Sequence, residues 1–252
     1  MTDLSAAVAA ERNGAFAPWI KHYPGSGDGG AVVIFPHAGG AAVAYRDLAT
    51  ALSGKGIDTY VVQYPRRADR LAHPAHPTVE QLAADLFAAG SWAAVGPLRL
   101  VGHCMGAVVA FEFARVAEQS GAAVHSLWAS AGQAPCDVVD APPLPTGPRE
   151  MLAEMVDLGG TDPRLLADAD FVEMLLMAVG ADYEALNRYL GGGRITADIH
   201  ALGGRDDHRI DQDMLRRWEN HTSGAFTLTE FDGGHFYLND QLETIADVIS
   251  AR

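Results

Sequence analysis

The chain has 252 residues, 48% of them hydrophobic, enough for one stand-alone α/β domain with a sizeable buried core. Its 18 basic and 32 acidic residues leave a formal charge of −14, which opposes sequence-independent attraction to a phosphate backbone and argues against a nucleic-acid ligand. Cys104 and Cys136 are too few for a disulfide scaffold or a cysteine zinc site, and no metal or bound cofactor is expected.

At the N-terminus, MTDLSAAVAAERNGAFAPW lacks a basic region before an apolar run, so a secretory signal is not expected and a cytoplasmic location is. Segment 31–35 is a buried strand by its apolar, β-branched composition, followed by a helix over 43–53 and a strand over 57–62. Thr78 three residues before Gln81 marks a capping box opening a helix over 78–89. The apolar region 92–113 is broken by Pro97, Arg99, His103 and Glu112, which excludes a bilayer span. Within it a strand at 98–102 runs into a helix at 105–119, and a further strand follows at 124–130. Segment 135–193 breaks the alternation: APPLPTGP is turn-rich, and the Met- and Leu-studded helical stretch after it reads as a lid inserted in the single domain 1–252. Met151, Met155, Met174 and Met177 are its candidate substrate-binding residues, because a flexible thioether lining suits an acyl group. The same side chains would also pack helices on one another. Strands at 195–202 and 226–231, with helices at 211–220 and 240–250, complete a mostly parallel sheet flanked by helices.

The chemistry concentrates where the central strand meets its helix. Gly102-His103-Cys104-Met105-Gly106 has the spacing of a nucleophile elbow, a strained strand-to-helix turn whose glycines permit close packing, so Cys104 is the candidate nucleophile and an α/β-hydrolase fold is expected. The helix start also favours a thiolate or an oxyanion beside it. In this fold the acid and then the histidine follow the nucleophile. His235, in the glycine-rich loop after strand 226–231, is the candidate base, and Asp206 or Asp207, in the turn after strand 195–202, is the acid that orients it. Either aspartate would equally suit a solvated turn or a helix cap. The backbone N–H groups of Ala38, in the PHAGG turn, and Met105 are placed to form an oxyanion hole.

Taken together, FPHAGG (35–40), YPRR (64–67), GHCMG (102–106), ALGGRDD (201–207) and WENHTSGAFTLTEFDGGHFYL (218–238) resemble the type II thioesterases of polyketide and non-ribosomal peptide synthesis. The resemblance runs from about Trp19 to the C-terminus. It implies Asp207, rather than Asp206, as the acid, although the family's usual proline after that aspartate is His208 here. It also places Cys104 where the family ordinarily has serine. The implied activity is hydrolysis of acyl groups from the phosphopantetheine arm of an acyl or peptidyl carrier protein, with no membrane partner. An esterase or acyltransferase acting on small-molecule esters and a weakly active synthetase-binding partner are the alternatives. Because a chain of this charge repels an acidic carrier, a local basic patch of Arg66, Arg67 and Arg70 is expected to receive it.

Overall fold

The computed structural model describes residues 16, 18–26 and 30–251. Seven strands form one sheet in the order β1-β3-β2-β4-β5-β6-β7. They are β1 (Ile20–Tyr23), β2 (Ala31–Phe35), β3 (Asp58–Val62), β4 (Leu98–His103), β5 (Val124–Ser130), β6 (Asp198–Gly204) and β7 (Phe226–Phe231). Every adjacent pair is parallel except β1 with β3. Strand β1 carries no apolar run to announce it: IKHY is an edge strand with Lys21 exposed, as a sheet margin open to solvent tolerates.

The strands read as continuous apolar runs because both faces of the sheet are covered. In β2, Val33 and Phe35 pack in one core with helices α2 (Val79–Ala88) and α3 (Met105–Gln119). Val32 and Ile34 face the other way, into a second core with α1 (Arg46–Gly54) and α8 (Leu242–Ser250). The expected cap is present, Thr78 accepting the N–H of Gln81 at 3.2 Å. The reciprocal half of a capping box is not made, since the Gln81 side chain bonds Asp85 instead. Strand β6 begins later than the apolar pattern predicts because the Glu118 carboxylate takes the amides of Thr196 and Ala197, at 2.9 Å each, away from the sheet ladder.

Between β5 and β6 the chain forms three helices, α4 (Pro135–Asp140), α5 (Pro148–Leu158) and α6 (Ala169–Asn187). The short α7 (Gln212–Arg216) follows β6 and continues into a 3₁₀ turn. Among the described residues no helix is long and apolar enough to cross a membrane. Strands β2, β4, β6 and β7 end at the same edge of the sheet, where ligands bind in open parallel sheets, and the loops leaving that edge carry every residue of the candidate triad.

Candidate active site

Cys104 occupies the turn between β4 and α3 with φ 55° and ψ −123°, a left-handed conformation that costs a non-glycine residue free energy and is kept where the surroundings impose it. Two glycines make the turn compatible with its neighbours. A Cβ on Gly102 would stand 2.2 Å from the Gly106 carbonyl oxygen, and one on Gly106 would stand 2.0 Å from that of Phe35. The Cys104 N–H donates to Ser130 at 2.8 Å, anchoring the turn to β5. The thiol is thereby presented at the edge of the sheet, partly exposed.

His235 is buried, and its Nδ1 lies 2.8 Å from Oδ2 of Asp207. The other carboxylate oxygen of Asp207 accepts the amides of Arg209 at 2.9 Å and Ile210 at 3.2 Å. Burial works against the Asp207 anion, but the hydrogen bond and charge of His235 and those two amides prevail and hold its pKa below the usual carboxylate value. Asp206 beside it is exposed, so burial and hydrogen bonding both select Asp207. Its successor His208 points outward, its Nε2 within hydrogen-bond distance of Asp157 of α5 at 3.0 Å. The non-proline residue therefore ties the acid's turn to the helical insertion.

Burial opposes the imidazolium of His235 as well. The hydrogen bond to Asp207 and the closeness and charge of Cys104, together with the charge of Asp207, more than offset it and push the pKa up to about 10. Nε2 has no partner of good hydrogen-bond geometry among the described residues. Two further imidazoles crowd this ring. His103 lies 5.3 Å from it, centroid to centroid, and His37 lies 6.1 Å from His103, with Phe236 against all three. Burial first, then the charge of His235, holds both neighbours neutral, His37 down at about 3. His103 is oriented by Ser130 at 2.9 Å, itself bonded to the Tyr237 hydroxyl at 2.7 Å. Spacing alone gave no reason to single out His37 or His103, since neither occupies a triad position.

Cys104 and His235 open on a cavity of about 510 Å³. Ala38 and Met105 stand in its wall, as do Val138, Leu144, Leu158 and Leu186 of the helical insertion. Met105 is the first residue of α3, so its N–H belongs to the unpaired first turn of that helix. The four candidate methionines lie outside this wall. Met151 and Met155 are buried with Val179 and Tyr183 between α5 and α6. Met174 and Met177 are on the exposed side of α6. Helical spacing cannot say which side of the insertion meets the cavity.

The expected basic patch is corrected more sharply. Arg67 and Arg70 are 6% and 3% exposed. Arg67 forms a two-pronged ion pair with Asp182 at 2.8 and 2.6 Å, and Arg70 lies over the Trp19 ring at 3.7 Å while donating to the Gln63 carbonyl. Only Arg66 of the three is partly exposed, its guanidinium against Met177. Guanidiniums with such internal partners have no face left for a docking protein. Among the described residues no three His, Cys, Asp or Glu side chains gather where a metal ion would sit.

The mostly parallel sheet, with Cys104 in the tight turn after β4 and the Asp207–His235 pair in the loops after β6 and β7, has the arrangement of an α/β-hydrolase fold. A family model described as thioesterase domain matches residues 31–252, and the chain belongs to that family. It is 59% identical over 239 residues to the phenyloxazoline synthase MbtB of Mycobacterium tuberculosis, a match covering 94% of this chain but only 17% of that protein's length. Thioesterase PikA5 of Streptomyces venezuelae is 38% identical, over 92% of this chain and 84% of its own. Among solved structures, the type II thioesterase BorB from the borrelidin biosynthetic cluster superposes with a TM-score of 0.79 at 37% identity, covering 92% of this chain and 96% of BorB.

Proposed function

We propose that this chain hydrolyses acyl groups from the phosphopantetheine arm of a carrier protein, in polyketide, non-ribosomal peptide or siderophore synthesis, through an acyl-Cys104 intermediate. The observation that carries this reading is the Asp207–His235 pair set beside Cys104 at the mouth of a cavity of about 510 Å³. Kinship with PikA5, BorB and a segment of MbtB points to the same class of substrate and to a carrier domain as partner.

In the loading step, Nε2 of His235 holds the proton given up by Cys104, as its pKa of about 10 favours, and Sγ attacks the thioester carbonyl carbon. The amides of Ala38 and Met105 hold the oxyanion. Collapse breaks the bond to the pantetheine sulfur, which leaves with the proton from His235. One thioester replaces another, so loading is more nearly reversible than transfer to a serine hydroxyl. Acylation removes the charge of Cys104, one of the influences that raise His235. The imidazole then titrates lower and is free to take a proton from water, which attacks the acyl carbon and releases the acid and the thiol. Segment 135–193 acts as the lid, supplying the apolar wall for the acyl chain.

Intact-mass analysis with a panel of acylated carrier proteins tests this reading. An adduct mapping to residues 102–106, lost in Cys104→Ala together with turnover, is expected. His235→Ala should load slowly and also release slowly. Parental hydrolysis by Cys104→Ala would exclude the covalent route. Faster turnover of free esters than of carrier-bound thioesters would shift the assignment to a small-molecule esterase.

A further inference from the structure

The N–H of Gly40 donates to the carbonyl of His37 at 2.9 Å, closing a four-residue turn in which Gly39 has φ +76°. Positive φ at the third position is the signature of a type II turn, and it leaves the N–H groups of both central residues outside the turn's own hydrogen bond. The N–H of Gly39 is claimed by Oδ2 of Asp182 at 2.8 Å, so the N–H of Ala38 is the one left to face the cavity.

Asp182 belongs to α6 of the helical insertion and is 5% exposed. Its carboxylate is gripped by Arg67, whose Nη1 also donates to the Gly40 carbonyl at 3.3 Å and whose Nε donates to the Pro65 carbonyl at 3.0 Å. Two side chains from distant segments therefore hold the turn at both a donor and an acceptor. Packing presses the turn onto the same helix, since a Cβ on Gly39 would lie 2.5 Å from Val179. A buried ion pair is a poor source of stability, because desolvation of the two charges offsets their attraction, and apolar replacements of similar volume are often neutral or better. Orientation of the turn is what this pair supplies and an apolar pair would not.

We infer that Arg67 and Asp182 are positioning residues that aim the Ala38 amide into the oxyanion hole and make its geometry depend on the seating of α6. This rests on the thioesterase reading of the site. The donor is then set by the same helix that lines the acyl cavity through Leu186, so a displaced α6 disarms the oxyanion hole instead of merely widening the cavity.

The test compares the wild type, Asp182→Asn and the double substitution Arg67→Met/Asp182→Leu on a small acyl-pantetheine thioester, with amide hydrogen exchange of Gly39 followed by NMR. In Asp182→Asn one carboxylate oxygen becomes a donor facing the guanidinium. In the double variant the charges go while the volume is largely kept. Loss of one oxyanion donor costs about 10²–10³ in kcat, and a donor misaimed but not removed should cost on the order of 10- to 100-fold, with KM within about threefold. Gly39 should lose exchange protection in the double variant, where leucine offers its N–H no acceptor. An unchanged kcat in a folded variant, or a rise in KM alone, would overturn the inference, and Asp182→Asn decides it if the double variant does not fold. Should the wild type hydrolyse no thioester, the functional reading fails first. Gly39 exchange then judges the positioning by itself, and unchanged protection in the double variant overturns it.

Discussion

Asp207→Asn discriminates between an acid that merely caps a turn and one that sets the tautomer of the base. If the asparagine carbonyl keeps the amides of Arg209 and Ile210, now at 2.9 and 3.2 Å, its new nitrogen must face Nδ1 of His235, now 2.8 Å from a carboxylate oxygen. Donor against donor is repulsive, so the ring moves its hydrogen to Nε2, the atom that has to receive the Cys104 proton. By analogy with other triads, kcat should fall about 10⁴-fold. The pKa of His235, about 10 in the wild type, should fall as well, because the charge and hydrogen bond of Asp207 are among the influences that outweigh burial. Steady-state hydrolysis of an acyl-pantetheine thioester measures the first effect, and an NMR titration of the imidazole measures the second. Asp206→Asn is the control: the side chain is exposed and kcat should stay within about twofold. A kcat loss smaller than tenfold in Asp207→Asn, or an equal loss in Asp206→Asn, would refute the assignment.

Stability should depend on pH through the same pair. The folded pKa of His235 is raised from 6.5 to about 10, so its contribution is complete below pH 6.5 and fades as pH rises through 10. Urea midpoints across that window should fall in the wild type and much less in Asp207→Asn. Gly106→Ala drives a Cβ to 2.0 Å from the Phe35 carbonyl, and the clash should cost about 3 kcal/mol or more, read as a lowered thermal midpoint. For acyl chain length, each buried methylene contributes about 0.8 kcal/mol, so affinity should rise about fourfold per carbon until the cavity of about 510 Å³ is full. A flat chain-length series would remove that cavity as the acyl site.

What the residues declare by themselves is local. Gly102 and Gly106 bracket Cys104 because a strained strand-to-helix turn admits no Cβ on either side, and that requirement is written within five consecutive positions. AVVIF at β2 reads as a buried strand because both faces of a parallel sheet are covered, and Thr78 announces α2 because its hydroxyl meets an amide three residues on. The choice between Asp206 and Asp207 is not local. Their compositional settings are alike, and only the folded turn buries one against His235 and leaves the other in water. Arg67 and Arg70 look from sequence like solvated cations, yet Asp182 lies 115 residues beyond Arg67 and nothing near either residue advertises their meeting. The methionines of the insertion likewise follow a helical period that states which residues share a face without stating what that face meets. Exposure and long-range pairing are properties of how elements pack, because each depends on contacts between segments remote in the chain; there the tertiary structure alone decided which arginines are buried and which side chains line the cavity, and it pairs with His235 the aspartate that only the family resemblance had preferred.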